Sequence, residues 1–339
     1  MAERSKVWAE LYNQAREWEE GGRLDIRDHF PFQGLLDELL FHSELRFSDY
    51  IQFASEGEFG VRLKKWLCNV PEGRQRKVLL SLLRYLTFVD RLQMVSLYRD
   101  AFRRIVVPFV RKDMLSADDL LSGDYGKRVL SVLRQYRLFS ITESFQNPGF
   151  INANDLAGLS KSDILGEDVR RVPMMLPKKE SSIIGVIVFE DFVGSGKQAR
   201  NVLVAVKQYV PSHWRILFVP LIILERGLKL LREESELKSV AVEPALIVSE
   251  GQCIKGEFAT GEPEEYSSFR ALVKSTADRV LQRLDDTDDP PSDAFGYKGS
   301  GALIVTSHNT PNNTLPLIHH RAPHWVPLFR RVHHSKDGL

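Results

Sequence analysis

The sequence predicts an α/β fold with a mostly parallel sheet, preceded by an all-helical N-terminal domain. Two observations carry this. Up to about residue 135, apolar residues recur at helical spacing, as on helices with one buried face. From Arg137 onward, short continuous apolar runs alternate with amphipathic stretches, the pattern of strands covered on both faces and joined by helices. The expected domains are a helical one over 1–135 and an α/β one over 136–339, the latter ending in a loop and tail.

Trp8, Leu11, Tyr12, Ala15 and Trp18 share one helix face, with Gly21-Gly22 as the expected stop. "VRLKKWLCNV" reads as a helix halted by Pro71. "RKVLLSLLRYLTFVDRLQMVSLYRDAFRRIVVPFV" reads as two helices breaking near Phe88 to Asp90, its leucines and aromatics serving the core. "RLFSIT" then reads as a strand, followed by the turn-rich "ESFQNPGF". Residues 152–182 are mixed and polar, with "RRVPMML" a candidate short strand. A strand over 183–189 and a helix from Ser195 to about Tyr209 come next. "RILFVPLIIL" and "SVAVEPALIV" read as strands around the helical "ERGLKLLREESEL". "DDTDDPPSD" is the clearest surface loop, between the amphipathic helix "EYSSFRALVKSTADRVLQRLDD" and a last strand, "ALIVTSH".

Composition bounds the function. The 339 residues suffice for two domains, and 43% hydrophobic with 27% charged residues supports an ordinary packed core. The longest apolar run, near "ILFVPLIIL", is too short to span a bilayer, and the charged N-terminal segment lacks a signal-peptide stretch. Cys68 and Cys253 form neither a disulfide framework nor a metal spacing. These features predict a cytoplasmic protein with no membrane partner. Net charge is +1 but unevenly placed: residues 61–140 hold 17 Lys or Arg against 7 Asp or Glu. Residues 1–60 hold 6 against 13, and residues 233–300 hold 7 against 15. The basic segment suits a nucleic-acid or protein partner, and equally suits helix faces solvated by charge or paired between segments.

The stretch "IIGVIVFEDFVGSGKQARNVL" concentrates the chemistry. A buried strand ends in Glu190 and Asp191, directly before Gly194, Ser195 and Gly196. Ligands of parallel sheets bind beyond the carboxyl ends of the strands, so the two acids face that crevice. A P-loop does not fit: Asp191 stands where its first glycine belongs, and Gln198 where its Ser or Thr reaches magnesium. No G-x-G-x-x-G dinucleotide fingerprint follows a strand here. His308, Asn309, Asn312 and Asn313 follow the last strand in a turn-dense loop. Its amides could read a base by hydrogen bonds or cap their own turns. Six of nine histidines lie after residue 307, among them His319, His320, His324, His333 and His334. No acid or cysteine joins them at metal spacing, so His308 alone is carried as a site residue.

The order apolar strand, acid, acid, short turn, Ser, Gly resembles the diphosphate-sugar loop of the type I phosphoribosyltransferases. The resemblance implies that Glu190 and Asp191 hold the ribose hydroxyls, directly or through Mg2+, as the catalytic and metal-binding pair. It implies that Val193, Gly194, Ser195, Gly196, Lys197 and Gln198 wrap a 5′-phosphate with backbone N–H groups at a helix start. Lys197 is either a phosphate ligand or a solvated helix-start lysine. Gly194 stands where many members place an acid or Ala, and Gln198 where Thr or Ser is common. "SITESFQNPG" occupies the place of the family's pyrophosphate loop. A wider resemblance rests on "WLCNV…LLSLLRYLTF", "EDFVGSGKQ", His308 to Pro316 and Pro327 to Phe329. Together these are similar to the phosphoribosyltransferase-like proteins of bacterial conflict systems. That implies a setting in anti-phage defence, with partner proteins.

Two functions from different classes follow. One is an enzyme binding phosphoribosyl diphosphate or a nucleotide with magnesium and acting at the ribose anomeric carbon. The other is a binding module, the same fold serving as nucleotide sensor or scaffold for a partner or nucleic acid.

Overall fold

The computed structural model describes residues 2–20, 31–50, 57–112, 123–142, 144–159, 164–165, 182–284, 291 and 293–331. The candidate strand "RRVPMML", Gly21-Gly22, nearly all of "DDTDDPPSD", His333 and His334 lie outside them.

In chain order the first elements are α1 (Ala2–Glu20), α2 (Phe32–Leu45), α3 (Phe59–Leu67), α4 (Arg74–Ser81) and the short strand β1 (Thr87–Val89). Then come α5 (Arg91–Asp100), a π-helical stretch (Ala101–Val106), α6 (Val107–Arg111) and α7 (Tyr125–Leu133). The α/β run follows as β2 (Tyr136–Ser140), α8 (Asn147–Ala153), β3 (Ile164–Leu165), β4 (Gly185–Val193), α9 (Lys197–Tyr209) and β5 (Arg215–Leu224). It closes with α10 (Glu225–Glu233), β6 (Val240–Val242) and β7 (Leu246–Val248). Last are α11 (Tyr266–Val280), β8 (Ile304–Thr306) and α12 (Pro316–His319).

These elements form two compact units, Met1–Arg91 with Gly251–Leu339, and Leu92–Glu250. The sequence reading drew one boundary near 135; the contacts divide the chain at 91/92 and 250/251 instead. The reason lies in the core of the first unit, which the N-terminal helices build jointly with the tail. Trp66 of α3, fully buried, donates its indole N–H to the Leu317 carbonyl at 2.7 Å. Asn69 exchanges two hydrogen bonds with the backbone of Val326. Phe329, from the Pro327–Phe329 element, packs among the rings of Phe47, Tyr50, Phe59 and Phe88. On α1, Trp8, Leu11, Ala15 and Trp18 are buried, as their spacing predicts.

The last strand, β8, does not join the large sheet. It pairs in parallel with β1 in a separate two-stranded sheet. Thr87, Phe88 and Val89, two β-branched residues around an aromatic, extend the chain at the predicted helix break and supply β8 with its partner.

The second unit holds the large sheet, in the order β3-β2-β4-β5-β6 with β7 also pairing β5, every pair parallel. β4 is buried continuously from Gly185 to Glu190, and β5 from Ile216 to Leu224. Such unbroken apolar strands belong at a sheet centre covered on both faces. "SVAVEPALIV" follows β5 along its length in one register but is split into β6 and β7 opposite Pro220: Glu243 and Ala245 both donate to β5, and Pro220 has no N–H to return. α9 covers the sheet with Ala199, Leu203 and Val206, and α10 with Leu228 and Leu231. Among the described residues, no helix is long and apolar enough to cross a membrane.

Candidate functional site

The strand order fixes where a ligand belongs. From β2 the chain moves outward one way to β3, then returns to β4 on the other side of β2 and proceeds to β5 and β6. The winding therefore reverses between β2 and β4. In open parallel sheets the crevice for ligands opens at this reversal, beyond the carboxyl ends of the strands. Both sequences that leave these ends carry polar groups: Thr142 and Ser144 after β2, Glu190 and Asp191 in the last turns of β4.

The acids sit within the strand rather than after it, because β4 continues to Val193. Glu190 pairs in register with Pro220 of β5, and Phe192 with Ile222. Pro220 turns its carbonyl to the Ala245 N–H, away from β4, so the N–H it lacks is missing on the β7 side and not beside the acidic pair. Glu190 is only 6% exposed, whereas Asp191 and Phe192 are half-buried. The Thr142 backbone N–H donates to Glu190 Oε2 at 3.1 Å, and the Thr142 hydroxyl lies 2.8 Å from Oε1. That hydroxyl is 2.5 Å from Ser144 Oγ, which donates to Asp191 Oδ1 at 2.8 Å. The Phe192 N–H donates to the same Oδ1 at 2.8 Å. A chain of oxygens thus links the two carboxyls through the segment after β2.

Burial pushes the Glu190 carboxyl well above the usual carboxylate range, and the neighbouring Asp191 charge adds to this. Tyr98 of α5, itself buried, is raised first by burial and then by the Asp191 charge.

The loop after β4 is built by close backbone approach. Gly196 adopts a left-handed conformation, φ +76°, and α9 starts at Lys197. A side chain at Gly196 would meet the Gly227 carbonyl at 2.8 Å, and one at Gly227 of α10 would meet the Gly194 carbonyl at 2.4 Å. The two glycines let the loop lie against the start of α10. Val193, Gly194 and Gly196 are buried, Ser195 is half-buried, and Lys197 and Gln198 are exposed. The first N–H groups of α9 have no carbonyl partner within their own helix, and point toward the loop side.

The other predicted residues lie in the first unit, beyond β8. His308 is half-buried, with Nδ1 3.3 Å from Ser307 Oγ. Burial, then the positive charge of Arg91, lowers its pKa from the ordinary histidine value. Asn309 accepts the Thr310 N–H on its side-chain oxygen, and Asn313 donates to Ser300 Oγ. These two amides hold their own loop; Asn312 is exposed. In the basic segment, Lys64, Arg76, Arg104 and Lys127 pair with Glu10, Glu72, Asp100 and Asp124.

Sequence reasoning singled out the acids and the loop but not Thr142, Ser144, Tyr98 or Gly227. "SITESFQNPG" was visible as the segment in the place of the family's pyrophosphate loop, without roles for its hydroxyls. Gly227 carried a signal, a glycine inside an amphipathic helix. Among the described residues, no three His, Cys, Asp or Glu side chains gather as a metal cluster. Of the two acids, half-buried Asp191 is the hard oxygen donor that could hold a magnesium ion keeping waters and phosphate ligands.

A search of curated proteins finds no match to this chain. The family model PRTase-CE matches residues 63–331, from within α3 through the large sheet, the acidic pair with its loop, and the tail past Phe329. With a parallel sheet, an acidic pair at its winding reversal and a match over most of its length, the chain belongs to the PRTase-CE family and is a phosphoribosyltransferase-like protein.

Proposed function

We propose that the carboxyl edge of the large sheet binds the phosphoribosyl group of phosphoribosyl diphosphate, or of a related nucleotide, together with magnesium. The observation that supports this most is the pairing, at one winding reversal, of a half-exposed carboxylate, Asp191, with the glycine-built loop Val193–Gln198. The loop offers backbone N–H groups to the 5′-phosphate, and Asp191 faces the ribose hydroxyls. Magnesium bound with the ligand would offset diphosphate charge. The bond made or broken lies at the ribose anomeric carbon, whose transition state is cation-like. The protein contributes by orienting the ligand and holding its phosphates, not by a covalent nucleophile. Isothermal titration with phosphoribosyl diphosphate, with and without magnesium, tests this. Saturable binding that requires magnesium and is lost in Asp191→Asn is expected; absence of binding under both conditions overturns it.

A second reading is favoured by Gly194 and Gln198. Neither side chain can carry a proton at the positions where relatives place an acid and a hydroxyl. The site then binds its ligand without turnover, as a sensor or scaffold for partner proteins in an anti-phage defence setting. Product analysis after incubation with a nucleotide panel separates the two readings. The basic excess over 61–140 supports a nucleic-acid partner only through its sign; affinity that falls with salt is the expected signature.

A further inference from the structure

The two acids differ in burial. Both Glu190 oxygens lie within hydrogen-bond distance of Thr142, one of its backbone N–H and one of its hydroxyl, and the side chain is 6% exposed. Asp191 is half-buried and uses Oδ1 for both Ser144 and the Phe192 N–H. We propose that the pair divides its work: Glu190 is a positioning residue that anchors the segment after β2 through Thr142, and Asp191 alone faces the ligand. The assignment of a ligand to Asp191 rests on the function proposed above; the anchoring of the segment does not.

Anchoring has a physical purpose here. Ile141, Thr142 and residues 144–146 leave β2 at the winding reversal, where among the described residues no strand pairs with them. Ile141 still donates to the Phe189 carbonyl at 3.0 Å. Beyond it, Thr142 is held by Glu190, and Ser144 by Thr142 and Asp191. A charged or amide side chain at position 190 therefore fixes where the Thr142 and Ser144 hydroxyls point. Phe145, fully buried and stacked on Phe189 at 5.1 Å, closes the segment onto the sheet.

Three variants of the full chain separate the roles: Glu190→Ala, Glu190→Gln and Asp191→Asn. Glutamine keeps an acceptor for the Thr142 N–H and supplies an N–H to the Thr142 hydroxyl, so it restores the anchor. Asparagine at 191 keeps the Oδ1 acceptor and removes the charge. In the protein without ligand, amide hydrogen exchange of 141–146 should speed by about tenfold in Glu190→Ala, the loss of one or two hydrogen bonds. It should stay near the parent's in Glu190→Gln and Asp191→Asn. In titrations with phosphoribosyl diphosphate and magnesium, Asp191→Asn should lose about tenfold or more, as for a hydrogen-bonded charge. Glu190→Ala should also lose affinity, and Glu190→Gln should recover most of it. Unchanged exchange in Glu190→Ala overturns the anchor whatever the ligand does. An affinity loss in Glu190→Gln equal to that in Asp191→Asn overturns the division of roles. If the parent itself binds no phosphoribosyl diphosphate, the ligand assignment of Asp191 falls, while the anchor is still decided by exchange.

Discussion

Gly227 shows how one residue sets the geometry of the phosphate loop. A methyl group there would lie 2.4 Å from the Gly194 carbonyl oxygen and 3.2 Å from the Gly196 nitrogen, both backbone atoms that cannot swing away. Gly227→Ala should therefore force α10 and the loop apart and lower stability by about 1–3 kcal/mol, the usual range for overpacking. Gly126 of α7 has nothing within 4 Å of such a methyl, so Gly126→Ala should be neutral or stabilising by up to about 1 kcal/mol. Thermal melts of the two variants should move in opposite directions; equal shifts would count against the packing assigned to Gly227. Glu190 makes a second prediction at this scale. Its folded pKa lies above the unfolded value, so the folded state binds the extra proton. The stability this contributes is fully present below the unfolded pKa and is lost as pH rises through the folded one. Glu190→Gln should flatten that decline in the ligand-free protein. A pH–stability curve identical to the parent's above the ordinary carboxylate pKa would contradict it. The sequence made the acids legible because two adjacent carboxylates interrupt an apolar run. Gly227 stayed hidden because its partner is the loop itself, some thirty residues away.

At the scale of elements, local patterning was read well where one element buries its own stripe. α1, β2, β5, α9, α10 and α11 fall where periodicity put them. It failed where an element exists only through a distant partner. β1 is three residues long and has too little pattern of its own; it is a strand because β8 lies beside it. The strand over 240–248 was legible as one run and is split because Pro220 of β5 has no N–H for it. The Pro327–Phe329 element was visible as a motif, but its role is packing: Phe329 is fully buried among four aromatic rings. Phe329→Ala should cost about 3–5 kcal/mol, as for other large-to-small core changes. Val326, 44% exposed, should tolerate alanine within about 0.5 kcal/mol. Denaturant titration of both variants checks this; a small effect at Phe329 would mean the ring cluster is not the core it looks to be.

At the scale of the whole molecule, fold class was legible and the units were not. Alternation of strands and helices announces a parallel sheet, but nothing local tells the chain that residues 251–331 return to the N-terminal helices. That return is recorded in Trp66 with Leu317, Asn69 with Val326 and β1 with β8. A fragment of residues 1–135 lacks all three partners and should show no cooperative melt by tryptophan fluorescence or circular dichroism. A sharp melt would argue that the helices carry a complete core. The second unit holds the large sheet, and its winding reversal explains why the acidic pair, the hydroxyls of 142 and 144 and the glycine loop converge. The measurement that tests this most directly is a crystal structure of the full chain with phosphoribosyl diphosphate and magnesium. The account predicts the 5′-phosphate on the N–H groups of 194–198, the ribose hydroxyls and metal on the Asp191 side, and Glu190 still bonded to Thr142. Density for the ligand away from the carboxyl ends of β2 and β4, or a phosphate that leaves the loop empty, would contradict it.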